Sequence, residues 1–178
     1  MDSIIKAILI GKDKAGKTQL SENFKNQPFS DKYSATFGVS FHSKPIELNG
    51  VEHNIALWDT SGKENYKSMI YSYLKGMKIV FFVFDLTSKE SFDYAANSIP
   101  PIKSKGESIK VMYLLGNKSD LKDEITVSIE EAEKLAKDNG LHFSEISAKD
   151  PGSFMKVMQE ALDHLLKEQN SSPIQNED

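Results

Sequence analysis

The chain has 178 residues, a formal net charge of −4 and no cysteine. Its length suits one domain with a sizeable core, and its apolar fraction of 39% and charged fraction of 27% are those of an ordinary globular protein. Without cysteine it can have no disulfide, no cysteine-ligated zinc and no thiol nucleophile. Its acidic balance gives no reason to expect nucleic acid or an anionic membrane as a partner.

Short apolar runs predict the strands of a largely parallel sheet. They alternate with amphipathic segments, as in sheets that carry helices on both faces. In chain order, the predicted strands are Ile4–Ile10, Val39–Leu48, His53–Trp58, Ile79–Phe84, Lys110–Gly116 and His142–Ile146. Because Asn49-Gly50 between the second and third strands is typical of a tight hairpin, one antiparallel edge strand is expected.

Amphipathic segments between these runs predict the helices. They are Lys17–Lys25, Asn65–Lys75, Ser91–Ile99, Ile129–Asn139 and Phe154–Glu168. Asn139-Gly140 favours the left-handed residue that often ends a helix. Pro100 and Pro101 are predicted to end the third helix, because proline lacks a donor and clashes with the preceding turn. We expect one domain over residues 1–168 and a disordered polar tail over 169–178.

The first motif with chemical content is Gly11–Thr18, which fits G-x-x-x-x-G-K-[ST] between a predicted strand and a predicted helix. Its glycines let successive N–H groups point inward at an anion, and the helix N-terminus adds its dipole. Lys17 is expected to reach the β- and γ-phosphates of a nucleotide, and the Thr18 hydroxyl to bind Mg²⁺. The residues expected to contact the nucleotide here are Lys14, Ala15, Gly16, Lys17, Thr18 and Gln19. The strand–helix context disfavours the alternative, a glycine-rich turn without a ligand.

The second motif, Asn117-Lys118-Ser119-Asp120, follows a predicted strand, at the end where ligands of open α/β sheets bind. The Asp120 carboxylate can accept hydrogen bonds from N1–H and the amino group of guanine. Adenine offers neither donor, and an unpaired, desolvated carboxylate costs about 1–3 kcal/mol. This pattern also occurs in solvated turns, and its place after a strand favours the base site. Ser147-Ala148-Lys149, after the last strand, is expected to offer a backbone N–H to the guanine O6.

A third motif lies at the end of the hairpin, in Trp58–Gly62. Asp59 is expected to hold Mg²⁺ through water, and the Gly62 N–H to approach the γ-phosphate because no side chain intervenes. Thr36, in the loop before the edge strand, is expected to give Mg²⁺ a second hydroxyl when a γ-phosphate draws that loop inward. Asp-x-x-Gly turns are common, so this interpretation depends on the phosphate loop.

In this order the motifs resemble the Ras superfamily of small GTPases, over the chain to about Glu168. The segments similar to Rab motifs are Thr36–Phe41, Leu57–Gly62, Tyr73–Gly76 and Phe84–Thr87. The resemblance implies the three-layer α/β/α fold of P-loop NTPases, with a six-stranded mostly parallel sheet and about five helices. It also implies that GTP and GDP bind with Mg²⁺, that Phe29 flanks the guanine and that Tyr33 closes over the phosphates.

The same resemblance implies two mobile segments, residues 30–42 and 61–75, that order with GTP and loosen after hydrolysis. Effectors, an exchange factor and a GTPase-activating protein are expected to read them, in a monomer with no nucleic-acid partner. The function implied is a Rab-like switch in vesicle traffic.

Two residues depart from the family pattern where catalysis is expected. Ras-like GTPases usually place glutamine after Asp-x-x-Gly, where this chain has Lys63; an ammonium only donates, so it cannot orient attacking water in the same way. Asp13 stands where the family has glycine or serine, close to the γ-phosphate and an incoming arginine finger. Lys14 is expected either to compensate for Asp13 or to point with it to solvent. The candidate catalytic residues are Lys63, Asp13 and Gly62, and intrinsic GTP hydrolysis is expected to be slow.

A third departure concerns membrane attachment. Rab proteins normally end in prenylated cysteines, which this chain lacks, and Asp2 excludes N-myristoylation. The longest apolar run, Ile79–Phe84, has six residues, far below the roughly 20 of a spanning helix. Either a lipidated tail is missing or the protein works without its own anchor. A cytoplasmic location is expected, with membrane association only through such a tail or a partner.

Two functions stay open from the sequence. One is a GTP/GDP switch with slow hydrolysis; the other is a hydrolysis-deficient pseudo-GTPase that acts as a nucleotide-loaded binding module. A nucleoside kinase is disfavoured, since the chain has no arginine-rich lid and a kinase has no use for Asn117–Asp120.

The scattered histidines show no ligand spacing, and the methionines are expected to fill the core. These methionines are Met69, Met77, Met112, Met155 and Met158.

Overall fold

Six strands form one sheet in the computed structural model, which describes residues 4–32, 36, 38–63 and 67–171. The elements are β1 (Ile5–Ile10), α1 (Lys17–Phe24), β2 (Val39–Leu48), β3 (Val51–Thr60), α2 (Lys67–Tyr73), β4 (Met77–Asp85), α3 (Lys89–Lys105), β5 (Val111–Asn117), α4 (Ile129–Asn139), β6 (His142–Glu145) and α5 (Pro151–Ser171). A short 3₁₀ turn covers Lys122–Glu124. The predicted fold class is confirmed.

The strand order is β2-β3-β1-β4-β5-β6, and of the described strands only β2 and β3 pair antiparallel. The carboxyl ends of the five parallel strands therefore meet at one edge of the sheet. β1 lies between β3 and β4, so the chain leaves it at the point where the strand order reverses. That point is where open α/β sheets bind ligands.

Two apolar layers enclose the sheet, one on each face. Along β1, Ala7 and Leu9 belong to one layer, and Ile8 and Ile10 belong to the other. β4 is buried along almost its whole length, which explains its unbroken apolar sequence. The sheet is thus held rigidly from both sides, and its carboxyl edge carries the loops of the site.

The hairpin between β2 and β3 follows the prediction. Asn49 and Gly50 have φ angles of 55° and 77°, the left-handed pair that a tight hairpin turn of this kind requires. β3 is longer than predicted at both ends, and its last pairs join Asp59 to Ser40 and Thr60 to Val39. Asp59 is therefore fixed by the sheet rather than carried on a loop.

The third helix contradicts the prediction that it ends at Ile99. α3 runs through Pro100 and Pro101 to Lys105. Each proline removes one backbone donor within the helix. Ile99 and Ile102, on either side of the prolines, are both buried in the core. Tertiary packing therefore keeps the segment helical although two backbone donors are missing.

Two further expectations need adjustment. α5 runs from Pro151 to Ser171, so the first three residues of the predicted tail are helical, and residues 172–178 lie outside the described part. Met69, predicted to fill the core, is 39% exposed. Met77 and Met158 are buried as expected.

Among the residues that the structure describes, no helix combines the length and apolar character that crossing a bilayer needs.

Candidate functional site

A cleft of about 750 Å³ opens at the carboxyl edge of the sheet, between the phosphate loop and the segments that follow β5 and β6. Most of the predicted site residues line it: Asp13, Lys14, Gly16, Lys17, Thr18, Gln19, Phe29, Thr36, Gly62, Asn117, Lys118, Asp120, Ala148 and Lys149. Ala15, Asp59, Lys63 and Ser147 do not line the cleft, and Tyr33 lies outside the described residues.

The phosphate loop is shaped by two left-handed residues. Lys14 and Gly16 have φ angles of 65° and 99°, and the Ala15 N–H donates to the Lys12 carbonyl at 3.2 Å. A Cβ on Gly16 would lie 2.1 Å from Asn117 Nδ2, so no side chain fits there. Gly16 caps α1 without a side-chain hydrogen bond. The first N–H groups of that helix thus receive no capping oxygen from Gly16, as an anion site requires.

Lys17 lies inside this loop and is 5% exposed. Its Nζ donates to the carbonyls of Gly11 at 2.8 Å and Lys12 at 2.9 Å. Burial lowers the pKa of Lys17 to about 8, against the raising effect of the Asp59 and Asp13 charges. A buried ammonium of this kind favours an added anion, and phosphate supplies one.

Three oxygens converge beside Lys17. Thr18 Oγ1 donates to Asp59 Oδ2 at 2.8 Å and lies 2.8 Å from Thr36 Oγ1. Asp59 is 2% exposed, and its Oδ1 has no hydrogen-bond partner among the described residues. Burial raises the pKa of Asp59 above its usual value, opposed by the Thr18 hydrogen bond and the Lys17 charge.

These oxygens fit the predicted Mg²⁺. A buried carboxylate oxygen without a partner is costly, and hard oxygen ligands are those that Mg²⁺ prefers. Thr18, Thr36 and Asp59 would hold the cation. Whether Thr36 joins them only when a γ-phosphate is bound stays a prediction. No cluster of three histidine, cysteine, aspartate or glutamate side chains elsewhere in the described residues offers a competing metal site.

Asn117 joins the two ends of the cleft. Its Nδ2 donates to the Ala15 carbonyl at 2.9 Å, and its Oδ1 accepts from the Ala148 N–H at 3.1 Å. It is 1% exposed, so both bonds are shielded from water. Asn117 is thus a brace between the phosphate loop and the segment after β6, a role that its sequence motif does not reveal.

Asp120 stands at the base end of the cleft. It accepts from Ser147 Oγ at 2.6 Å and faces Lys149 Nζ at 3.2 Å. The hydrogen bond from Ser147 lowers the pKa of Asp120 below its usual value, and Lys149 lowers it further. The carboxylate is therefore ionised at neutral pH, as accepting two guanine donors requires.

Phe29 and Lys118 both line the cleft. Lys149 Nζ lies 5.8 Å from the centre of the Phe29 ring. Gln19 Oε1 accepts from the Ser30 N–H at 3.1 Å and so anchors the loop that carries Phe29. An aromatic ring and an aliphatic lysine stem are suitable surfaces for a planar base.

The predicted donors to the guanine O6 already have protein acceptors. The Ala148 N–H donates to Asn117 Oδ1, and the Lys149 N–H donates to Ser147 Oγ at 3.2 Å. A base oxygen would therefore share one of these donors. The proposed base contact stays a prediction.

The candidate catalytic residues meet on the other side of the phosphate loop. A second cleft of about 550 Å³, next to the start of α3, is lined by Lys63, Asp13 and Gly62. The Asp13 N–H donates to the Gly62 carbonyl at 3.2 Å, and a Cβ on Gly62 would lie 2.1 Å from Asp13 N. Asp13 and Gly62 also line the main cleft, whereas Lys63 does not. The structure therefore places Lys63 beside the phosphate loop but outside the nucleotide cleft.

One functional residue was missed by the sequence analysis. Asn23 on α1 is 1% exposed, and its Nδ2 donates to the Ala148 carbonyl at 2.9 Å. It holds Ala148 by its carbonyl, whereas Asn117 holds the same residue by its N–H. A lone polar residue on an amphipathic helix resembles a solvent-facing one, so no sequence pattern signals this contact.

Comparisons with known proteins agree with this geometry. The model of the Ras family matches residues 6–167. Ras-related protein Rab-10 of Caenorhabditis elegans is 36% identical over 83% of the chain and 74% of that relative. Human Rab-8B is 34% identical over 96% of the chain and 84% of the relative. Rab-4 of Dictyostelium discoideum is 34% identical over 82% and 71%.

Gly16 provides a test of the loop geometry. In Gly16→Ala the new Cβ must displace Asn117, which breaks two buried hydrogen bonds. We expect nucleotide affinity to fall on the order of 100-fold, since each broken bond costs about 1–3 kcal/mol. Titration with a fluorescent guanine nucleotide measures this change.

Gly140→Ala is the matched control, because Gly140 also has a left-handed φ of 71° but nothing within 4 Å of the added Cβ. It is expected to cost about 1 kcal/mol of stability and to leave nucleotide affinity unchanged. Equal losses of affinity in both variants would mean that backbone strain alone, and not the Asn117 contact, determines the effect.

Proposed function

The chain belongs to the Ras family, and we propose that it is a Rab-like switch that binds GTP and GDP with Mg²⁺ and regulates intracellular vesicle traffic. The observation that carries the proposal is one cleft with a cationic end and a carboxylate end. Lys17 lies at the first end, and Asp120 at the second. A cleft with these two ends suits a ligand that has phosphates on one side and a hydrogen-bond donor edge on the other.

The phosphate end is formed by backbone groups and one buried lysine. The glycine loop, the start of α1 and buried Lys17 supply positive potential. Within the part of the chain that the structure describes, the Lys17 Nζ donates to backbone carbonyls and to no carboxylate. Mg²⁺, held by Thr18, Thr36 and Asp59, would neutralise charge on the β- and γ-phosphates. The protein's own part is to fix these groups and to withhold water from them.

We propose that GTP hydrolysis is slow because Lys63 stands where a glutamine usually orients the attacking water. Water must attack the γ-phosphorus while the bond to the β–γ bridging oxygen breaks and GDP leaves. Lys63 offers that water donors but no acceptor, and it lies in the second cleft rather than the first. Asp13 adds a negative charge at the same edge. A partner that supplies the missing group would restore the rate.

The second candidate function is a GTP-loaded binding module that does not hydrolyse. Lys63 and Asp13 favour it. Thr36 favours the switch, because its hydroxyl lies 2.8 Å from Thr18 and so links the loop before β2 to the metal-binding oxygens. A nucleotide with a purely structural role would have no need of that link.

Partners are proposed to read segments 30–42 and 61–75. Each segment exposes an apolar side chain: Phe41 is 60% exposed and stacks on Trp58 at 5.2 Å, and Met69 on α2 is 39% exposed. Exposed aromatic and methionine side chains are typical of protein-binding surfaces. An effector, an exchange factor and a GTPase-activating protein are the partners expected, and the chain itself is proposed to act as a monomer.

Asp120→Asn tests the choice of base. The amide that replaces one carboxylate oxygen would point a donor at the guanine amino group, so GDP affinity is expected to fall about 10- to 100-fold. Xanthosine diphosphate, which has a carbonyl there, should gain affinity. Competition titrations measure both ligands. Asp123→Asn, an exposed carboxylate in the neighbouring turn, is the control and should change neither. A variant that binds GDP as before would remove Asp120 from base recognition.

The bound nucleotide tests the proposed function directly. Purified protein is expected to carry guanine nucleotide and to convert GTP to GDP over hours, as followed by chromatography of the released nucleotide. GTP that stays unchanged would favour the binding module. Adenine nucleotide in the cleft would contradict both functions.

Lys63→Gln tests the explanation of slow hydrolysis. A glutamine restores an acceptor for the attacking water, and single-turnover GTP loss is expected to speed up about 10-fold or more, within the usual range for a positioned group. Adding Asp13→Ser should raise the rate further. Lys156→Gln on the exposed face of α5 is a control with the same loss of charge. No increase over that control would show that Lys63 does not limit the rate.

A further inference from the structure

The end of the domain opposite the nucleotide cleft is rich in lysine. There β1, β4 and β5 begin and α2 and α3 end, because the strands are parallel and the helices return antiparallel to them. The basic end, as we name it, consists of Lys6, Lys75, Lys78, Lys103, Lys105 and Lys110.

The strand pairing brings these lysines together. The Lys110 N–H donates to the Lys78 carbonyl at 2.9 Å, so these two residues are neighbours across β4 and β5. A Cβ added to Gly76, which follows Lys75, would lie 3.9 Å from Lys6 Nζ. Four residues from three separate parts of the sequence thus share one surface.

The last turns of α3 extend this surface. Lys105 Nζ lies 4.6 Å from the centre of the Tyr71 ring on α2, and Lys103 Nζ donates to the Asn139 carbonyl at the end of α4. Both lysines are exposed, as are Lys75 and Lys110.

Few acidic residues lie in the segments that carry these lysines. None of its six lysines forms an ion pair with a carboxylate of the described residues. Within segments 4–6, 74–78 and 103–110, the one acidic residue is Glu107. These three segments therefore carry a formal charge of +5 on a chain whose total is −4. Other parts of the same sheet edge add acidic residues: Glu47 and Glu52 flank the turn between β2 and β3, and Glu168 lies near the end of α5.

We propose that the basic end docks this chain on an anionic lipid bilayer. Lysine ammonium groups on flexible stems suit a diffuse layer of acidic headgroups, and each lysine near such a surface strengthens binding about five-fold. Ile4, two residues before Lys6, is 56% exposed and offers an apolar side chain to the boundary between headgroups and acyl chains.

The geometry gives this docking a defined orientation. The nucleotide cleft lies at the opposite edge of the sheet, so it faces away from the bilayer. Tyr113 Oη lies 3.0 Å from His164 Nδ1, which places α5 beside the start of β5 seven residues before α5 ends at Ser171. The last helix of the chain thus also ends at the basic end. The proposal does not depend on which nucleotide the cleft binds.

Vesicle co-sedimentation of the full chain tests the proposal. Binding is expected to phosphatidylcholine vesicles that contain phosphatidylserine, and not to phosphatidylcholine alone. Raising the salt from about 0.15 M to about 1 M shortens the Debye length to about 3 Å and should abolish it. Lys75→Gln combined with Lys110→Gln should weaken binding about 30-fold. Lys134→Gln with Lys156→Gln removes the same charge elsewhere and should leave binding nearly unchanged.

Lys75→Arg with Lys110→Arg keeps the charge and should retain binding, which separates a lost charge from a disturbed fold. Equal losses in the two glutamine pairs would overturn the proposal, because net charge alone would then explain binding. The absence of binding to acidic vesicles would overturn it too, as would binding that salt does not weaken. Association with RNA or polyglutamate but not with vesicles would assign the surface to a different partner.

Discussion

The buried amide of Asn117 is the contact on which the rest of the site depends. It has one donor bond and one acceptor bond, to Ala15 and Ala148, in a place that water does not reach. A buried amide that lost either partner would pay the full desolvation cost, so the two ends of the cleft have one low-energy arrangement. The same Nδ2 atom leaves no room for a side chain at Gly16. Asn23 holds Ala148 by its carbonyl, which ties α1 to the base segment.

Around this brace the fold leaves two charged groups undercompensated. Lys17 is buried against carbonyl oxygens, and Asp59 keeps one carboxylate oxygen that no described residue contacts by a hydrogen bond. Their shifted pKa values have the same origin, since burial raises that of the acid and lowers that of the base. In the proposed complex, phosphate and a cation would satisfy these two groups, which the chain alone does not. Ligand binding then stabilises the native state by mass action as well as by contact. Nucleotide binding and folding would then be coupled through these two side chains.

The sequence predicted most of the fold because its signals were local. The apolar run of β4, the Asn49-Gly50 turn and the glycine after α4 each determine their own conformation. The prediction from the sequence was wrong at α3, where the burial of Ile99 and Ile102 in the core outweighs the helix-breaking effect of two prolines. Within the site, motifs identified which residues gather but not what they contact. Asn117 belongs to a base-reading motif and acts as a brace, Lys63 follows Gly62 and lies in a different cleft, and Asn23 belongs to no motif. Contacts between distant segments are set by packing, which a linear pattern does not encode.

The basic end illustrates the same limit for charge. A net charge of −4 describes the whole chain and says nothing about its distribution, and no two of the segments that meet there are close in sequence. A parallel sheet sorts side chains by their place along each strand: residues after the strands gather at one edge, and residues before them gather at the other. Asp59 lies at the end of β3 and Asp120 follows β5, whereas Lys78 and Lys110 lie at strand starts. One topology therefore separates a nucleotide-binding edge from a positively charged edge, and a partner at the first edge need not compete with a surface at the second. This separation is what allows binding at the two ends to be measured independently.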